Sequence, residues 1–210
     1  MSKPHIILAS TSIGRKHLLE KLGLPFEIVP STIDETAIIH PDPKTRLLKR
    51  ARAKAKDVVK KLSKKTPANY QQPATSFLII AADSEAILQG KTYGKAKHKA
   101  HAKAMLKELM GNTHDFITAT SIILSNLRNP NNLVEKQWDD LTQAQVTMKH
   151  LSESELDEYL SRYDFSRFAA AYTLNETPWD LITKIEGSYT GVIGLPFEVT
   201  LPIFRTLKLL

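Results

Sequence analysis

Strand-like and helix-like patterns of hydrophobic residues alternate along this chain. An apolar run at residues 6–9 predicts a buried strand, and it breaks into the polar segment 10–12. A helical period then runs to about residue 22, and Gly23 is suited to end that helix. Residues 25–30 predict a second strand. The chain therefore opens with a strand, a polar loop and a helix N-terminus.

The longest helical pattern covers about residues 43–62. Its apolar stripe consists of Leu47, Ala51, Ala55, Val58 and Leu62. The polar segment 63–75, which contains two prolines, predicts a loop or insertion after the helix.

A buried strand is predicted at residues 76–82, where the chain is most consistently apolar. The pattern places Asp83 at the end of this strand. A carboxylate there costs desolvation free energy unless it has a partner or a function. Capping of a turn is the structural alternative for Asp83, and the segment alone does not decide between the two.

The rest of the chain continues the alternation. The patterns predict a short strand and turn over 87–95, a helix over 98–110, strands over 113–124 and 133–148, a helix over 153–162, a strand over 179–185, a glycine-containing loop over 186–197 and a final helix. Ser152 and Glu155 match a capping box at the start of the fourth helix. Small residues dominate the segment 168–176, where backbone or ligand can approach closely.

Composition describes a globular protein of 210 residues, of which 42% are hydrophobic. That length suits one substantial core, or one domain with two lobes. The chain has no cysteine, which excludes disulfides and a thiolate nucleophile and is compatible with a reducing compartment. No stretch approaches the roughly 20 apolar residues that cross a bilayer, so we expect a cytoplasmic protein without a membrane partner.

The positive charge is concentrated in one helix. The net charge of the chain is +7, but residues 44–65 alone carry +10 and the remainder carries −3. Most of these cations are expected on a solvated outer face of the helix. A surface for polyphosphate or nucleic acid is the alternative, and the absence of interleaved aromatic residues argues against it.

The opening loop is a candidate anion site. A helix N-terminus directs unpaired N–H groups and the positive end of a dipole at the loop above it, and Arg15 and Lys16 add full charges. The alternative is an ordinary turn in which Ser12 is the N-cap and both cations face water.

Six motifs, in order along the chain, resemble those of the Maf family of nucleotide pyrophosphatases. They are Ala9-Ser-Thr-Ser-Ile-Gly-Arg-Lys-His-Leu-Leu19, Asp34-Glu35, Lys54 within Ala51–Ala55, Ala82-Asp83-Ser84, Gly94-Lys95-Ala96 and Gly187–Pro196. The resemblance extends from about Ile6 to Phe197.

The resemblance implies a Maf/ITPase-like α/β fold: one domain over 1–210 with a long curved mixed sheet, flanking helices and a cleft between two lobes. It also implies metal-dependent hydrolysis of minor, modified or pyrimidine nucleoside triphosphates, dTTP and UTP among them, to the monophosphate and pyrophosphate. The implied role is house-cleaning. A nucleoside triphosphate is the expected partner, a homodimer is allowed, and a nucleic-acid partner is not expected.

The same resemblance assigns roles to individual residues. Asp83, Lys95 and Glu35 are the implied catalytic residues, and Glu35 and Asp83 also hold a divalent metal. The implied substrate-binding residues are Ser10, Ser12, Arg15, Lys16, Lys54, Ser84, Asn175 and Glu176. Oxygen ligands suit Mg²⁺ or Mn²⁺.

This chain departs from the family pattern at several positions. Ile13 replaces a proline and Lys16 replaces an arginine, so a two-pronged phosphate contact becomes a point charge. Glu85 replaces an apolar residue, and it either joins the metal site or faces water.

Two alignments of the base-reading segment remain open. Asn175 would read the base as the glutamine of the dTTP/UTP-type subgroup does. With a one-residue gap, Glu176 would match the 7-methyl-GTP-type subgroup instead. A rival hypothesis is an inactive scaffold that binds nucleic acid or a partner through the basic helix 44–65.

Overall fold

We describe a computed structural model, which covers residues 3–65, 76–127, 133–174 and 181–210. The strands are β1 (His5–Leu8), β2 (Phe26–Ile28), β3 (Ser76–Leu88), β4 (Lys91–Tyr93), β5 (Thr113–Asn126), β6 (Val134–Met148) and β7 (Ile182–Gly187). The helices are α1 (Ile13–Lys21), α2 (Pro43–Lys65), α3 (Lys99–Leu109), α4 (Glu153–Arg162), α5 (Tyr189–Ile193) and α6 (Phe197–Thr206). Glu35–Ala37 and Phe165–Arg167 form short 3₁₀ helices.

The seven strands form one mixed sheet. Its order is β2-β1-β3-β5-β6-β7, and β4 pairs with β3. Strand β1 runs parallel to both β2 and β3, whereas the β3–β4 and β6–β7 pairs are antiparallel. A mixed sheet with flanking helices confirms the predicted α/β class.

The chain divides into two compact units. The first contains Met1–Asp83, Ala119–Leu141 and Phe197–Leu210, and the second contains Ser84–Thr118 and Thr142–Pro196. The prediction of one domain with two lobes stays a prediction.

The core of the first unit is built where α2 packs on β1 and β3. Every member of the apolar stripe predicted on α2 is buried, with no side chain more than 1% exposed. Ile7 of β1 and Ile79 of β3 join the same cluster and are fully buried. The period of 3.6 residues along α2 therefore predicted its buried face correctly.

The core of the second unit includes α3 and α4 together with parts of β5 and β6. Tyr159 of α4 packs on Phe165, with ring centroids 4.6 Å apart. The predicted capping box is present at the start of α4: Ser152 N donates to Glu155 Oε2 at 2.7 Å, and Glu155 N donates to Ser152 Oγ at 3.3 Å.

Two predictions of local structure were wrong. Strand β3 does not end at Ala82 but continues to Leu88, because its last residues pair with β4 after its first part has paired with β1. Asp83 therefore lies inside β3, between these two paired stretches. Residues 189–193, predicted as loop, form α5, whose N-cap is Ser188 and which ends at Gly194 with φ of 119°.

Several predictions fall wholly or partly on residues outside the described ranges. These are most of the 63–75 loop, the start of the 179–185 strand, and the base-reading residues Asn175 and Glu176. Among the described residues, no helix combines the length and apolar character needed to cross a membrane.

Candidate active site

Lys54 forms the centre of a buried charge cluster in the first unit. Its Nζ atom lies 2.7 Å from Asp83 Oδ1 and 2.8 Å from Glu35 Oε2. Helix α2 supplies the lysine because residue 54 lies beside the buried stripe, next to Ala55, and the side chain is only 10% exposed. Buried ions of this kind require close partners, and each carboxylate provides one.

Arg15 extends this cluster toward the opening loop. Its side chain is buried, and Nη1 donates to Ser10 Oγ at 3.0 Å. Burial lowers the pKa of the Arg15 guanidinium, while the negative charges of Asp83 and Glu35 oppose that shift. An arginine retains its proton at neutral pH even so. Arg15 thus presents a fixed positive charge beside both carboxylates.

The serines of the opening loop organise its backbone. Ser10 Oγ accepts a second hydrogen bond, from Ser12 N at 3.1 Å. Ser12 occupies the N-cap position of α1, but its side chain makes no capping hydrogen bond. The alternative interpretation of this loop placed Ser12 at the N-cap and both cations in water. Ser12 is indeed the N-cap residue, although without a side-chain hydrogen bond, whereas the interpretation was wrong for Arg15, which is buried.

Lys16 does face water. Its side chain is about half exposed and pairs with Glu20, one turn later in α1, at 3.5 Å. The structure thus separates two neighbouring cations that the sequence did not distinguish. Arg15 faces the carboxylates and Lys16 faces solvent.

The segment that carries Glu35 is tied to α2. Asp57 Oδ2 accepts from Thr32 N at 2.9 Å and from Ser31 Oγ at 3.1 Å. Asp34 then opens the 3₁₀ helix by accepting from the Thr36 hydroxyl at 2.6 Å and from Thr36 N at 2.9 Å, and these hydrogen bonds, the hydroxyl's first, lower the pKa of Asp34. The two residues of the Asp-Glu motif therefore have different roles: Asp34 stabilises the turn, and Glu35 forms an ion pair with Lys54.

Arg50 belongs to the cluster, although no sequence motif assigned it a role. Its Nη1 atom is 3.8 Å from Asp83 Oδ2, and its side chain is 16% exposed. Arg50 precedes Lys54 by one helical turn, so both side chains project from the same side of α2. That spacing was the available signal, but the density of cations in this helix obscured it.

The remaining predicted site residues belong to the second unit or lie outside the described residues. Ser84 and Lys95 belong to the second unit. The Ser84 hydroxyl lies 2.8 Å from the Thr118 hydroxyl, and the backbone of Lys95 pairs with Ala169. Asn175 and Glu176 lie outside the described residues. Glu85 was expected either to join a metal site or to face water. The residue is only 8% exposed, so it does not face water.

The two carboxylates fit the metal that the family resemblance implies. Glu35 and Asp83 converge on a single cationic atom, so their oxygens already share one position for positive charge. Among the described residues, no group of three or more acidic or histidine side chains is arranged to hold a metal ion. A Mg²⁺ ion commonly takes one or two protein carboxylates and completes its shell with water and phosphate oxygens.

The cluster suits an anionic ligand that brings a cation with it. Three cations (Arg15, Arg50 and Lys54) lie with two carboxylates (Glu35 and Asp83), and all of these side chains except that of Glu35 are largely buried. Fixed cations in such surroundings stabilise charge on phosphoryl oxygens more strongly than they would in water.

A sequence model of the family described as "Maf-like protein" matches residues 5–207. The chain belongs to this family. The match covers every motif on which the resemblance was based, including those at both ends of the chain.

Curated relatives of the family are similar to this chain over nearly its whole length. A protein of Moorella thermoacetica named "dTTP/UTP pyrophosphatase" is 33% identical over 97% of this chain and 96% of its own length. Proteins with the same name from Treponema denticola and Methylococcus capsulatus are 33% and 30% identical, each over more than 90% of both chains.

A solved structure, titled as a nucleoside-triphosphatase / dITP/XTP pyrophosphatase from Mycobacterium abscessus, aligns over 98% of this chain and 95% of that chain at 12% identity. Its TM-score is 0.37. The family membership therefore rests on the family match and the curated relatives rather than on this likeness.

Proposed function

We propose that this protein is a metal-dependent nucleoside-triphosphate pyrophosphatase that acts on pyrimidine nucleotides such as dTTP and UTP. The observation that carries the proposal is the convergence of Glu35 and Asp83 on Lys54, with Arg15 beside both carboxylates, in a member of this family. This cluster provides both carboxylates for a metal ion and cations for a triphosphate.

The reaction adds water across the α–β phosphoanhydride bond and yields a nucleoside monophosphate and pyrophosphate. It requires a base that takes a proton from the attacking water, and cations that balance charge on the phosphoryl oxygens. In the proposed site, Asp83 is the base, and Arg15, Lys54 and Lys95 bind the phosphates. Ser10, Ser12, Lys16 and Ser84 are proposed to contribute further substrate contacts.

Arg50 has a positioning role in this scheme. It lies on the Asp83 oxygen that Lys54 does not contact, so it restrains the rotation of the carboxylate. A base must be held within hydrogen-bond reach of the proton that it abstracts.

Glu35 and Asp83 are the proposed metal ligands, and Mg²⁺ or Mn²⁺ is the proposed ion. When bound, such an ion supplies Lewis-acid polarisation of phosphoryl oxygens. Two carboxylates are enough for this class of ion when substrate oxygens and water complete the shell.

The preference for dTTP and UTP is supported by the printed names of the curated relatives. Asn175 is the proposed reader of the base edge under this preference, and Glu176 takes that role if the protein acts on 7-methyl-GTP. A house-cleaning role in the cytoplasm completes the proposal.

A panel of nucleotides tests the proposal by release of pyrophosphate in the presence of Mn²⁺. The panel contains dTTP, UTP, CTP, ATP, GTP and 7-methyl-GTP. Replacing Asp83 with Asn retains the shape of the side chain and removes the base, so turnover should fall by roughly two to four orders of magnitude. The matched control is Asp140→Asn, at an exposed position, which should behave as wild type. A wild-type rate no higher than that of Asp83→Asn contradicts the assignment.

A further inference from the structure

The ammonium group of Lys54 lies where the two proposed metal ligands meet. The distances from Nζ to Asp83 Oδ1 and to Glu35 Oε2 are 2.7 and 2.8 Å, which is the length of a strong charge-assisted hydrogen bond. One oxygen of each carboxylate is therefore occupied by the same cation.

We propose that Lys54 fills the metal position in the nucleotide-free protein and leaves it when nucleotide binds, so that metal and nucleotide bind together. This inference rests on the proposed function, because it takes Glu35 and Asp83 as the metal ligands and a triphosphate as the substrate. In this proposal Lys54 contacts the phosphates only after nucleotide has bound, and before that it occupies the metal position.

Electrostatics requires such an exchange. A divalent cation on these two oxygens would lie within a few ångströms of the ammonium group, and like charges repel strongly in surroundings of low dielectric constant. The Lys54 side chain is 10% exposed, so water screens this repulsion only weakly. Metal and ammonium therefore compete for the carboxylates.

The geometry also allows the lysine to move. A lysine ammonium is a point charge on a flexible four-carbon stem, which can turn to a new partner without a change in the helix. Phosphate oxygens are the natural new partner, since they are anionic and arrive with the nucleotide. Arg50 remains on the other oxygen of Asp83 and holds that carboxylate while Lys54 moves.

The Glu35 side of the site is the accessible one. The Glu35 side chain is 46% exposed, compared with 12% for Asp83. Glu35 would therefore be the first of the two carboxylates to hold a hydrated metal ion, and Asp83 would join it once Lys54 had moved away.

The test measures Mn²⁺ binding in the absence of nucleotide, by electron paramagnetic resonance of the free ion. Lys54→Met removes the competing charge and should bind Mn²⁺ about tenfold or more tightly than wild type does, on the scale of a close charge pair. The matched control is Lys56→Met, which removes the same charge from an exposed position of the same helix and should stay within about twofold of wild type. Equal affinities of Lys54→Met and wild type would overturn the inference.

Two further variants keep the test decisive. If Lys54→Met does not fold, Lys54→Gln removes the charge while it can still hydrogen-bond to the carboxylates, and the same gain in affinity is expected. Adding Glu35→Gln to either Lys54 variant should abolish the gain, because the metal then loses one of its two carboxylates. A gain that survives in the double variant would show that Mn²⁺ binds elsewhere, and this also overturns the inference.

Failure of this inference can be separated from failure of the proposed function. Pyrophosphate release by wild type, with no change in Mn²⁺ affinity in Lys54→Met, removes the inference and leaves the proposed function standing. If Lys54→Met binds Mn²⁺ more tightly but the wild-type protein hydrolyses no nucleotide, the competition between Lys54 and the metal is supported and the proposed activity is rejected.

Discussion

Arg50 and Asp83 form an ion pair through the carboxylate oxygen that Lys54 does not contact. Arg50 Nη1 is 3.8 Å from Asp83 Oδ2, while Lys54 Nζ is 2.7 Å from Oδ1. Each oxygen of the carboxylate thus faces its own cation, and both cations come from one helix. The orientation of Asp83 is consequently set by α2.

Loss of Arg50 should impair turnover more than binding. We expect Arg50→Gln to lower kcat by about tenfold to a hundredfold, because a misoriented catalytic group commonly costs this much. The KM for nucleotide should change less. Steady-state pyrophosphate release measures both quantities.

A second arginine on the same helix provides the control for that prediction. Arg52 pairs with Asp139 at 2.8 Å, and its side chain is 44% exposed. Arg52→Gln removes an arginine from a more exposed ion pair of the same helix and should leave kcat within about twofold of wild type. Equal losses in the two variants would mean that Arg50 acts through the charge of the helix and not through Asp83.

Arg15 should govern affinity for the nucleotide. Arg15→Ala removes a buried charge beside Ser10 and both carboxylates, and we expect the KM to rise by about tenfold to a hundredfold, the usual worth of a hydrogen bond to a charged group. The control is Lys21→Ala, which removes an exposed cation from the last turn of the same helix and should leave the KM within about twofold of wild type. An unchanged KM in Arg15→Ala would place the phosphates elsewhere.

The sequence predicted the elements of this site better than it predicted their partners. The apolar stripe of α2 and the capping box of α4 depend on residues close together in the chain, and both are present. Arg50 and Lys54 each precede an alanine of the stripe, Ala51 and Ala55, and so lie at the border between its buried and solvated faces. Periodicity does not tell which border cations turn inward, because that depends on carboxylates from distant segments.

The position of Asp83 within β3 was obscured for a similar reason. A run of apolar residues reports burial, and it ends at Ala82. The strand extends further, because β4 supplies hydrogen-bond partners to residues 86–88, beyond the polar interruption at residues 83–85. Only the pairing partners, which the pattern does not encode, show where β3 ends.

A buried histidine should make the protein sensitive to acid. His114 is 2% exposed and its Nε2 lies 2.8 Å from the Tyr172 hydroxyl. Burial lowers the pKa of His114 to about 4, only partly opposed by Asp115, whereas the unfolded chain takes up a proton near pH 6.5. The unfolded state therefore binds more protons between these values, and stability that is complete above pH 6.5 is lost as the pH falls toward 4.

The expected loss is about 3 kcal/mol between pH 7 and pH 4 from this residue. Urea unfolding at pH 7, 6, 5 and 4 measures the free energy of unfolding. In His114→Gln the decline toward low pH should be smaller than in wild type by about that amount. His150→Gln, at an exposed position, should retain the wild-type decline. Parallel curves for wild type and His114→Gln would show that the ring titrates normally in the folded protein.

Gly187, which begins the last family motif, should be required for packing. Its φ is 104°, and a Cβ placed on it would lie 2.6 Å from the Gln143 carbonyl oxygen and 3.1 Å from Ala144 Cα. Both atoms are backbone of β6, which pairs with β7 at this position. A methyl group here would therefore have to displace a strand.

A second glycine separates this clash from backbone strain alone. Gly23 has φ of 66°, and no atom lies within 4 Å of a Cβ placed on it. Gly23→Ala should lower the free energy of unfolding by about 1 kcal/mol, the cost of the left-handed conformation. Gly187→Ala should cost at least about 2 kcal/mol more, because the clash adds to the strain. Urea unfolding compares the two variants, and equal costs would mean that β6 yields to the methyl group, so that close packing does not require glycine at this position.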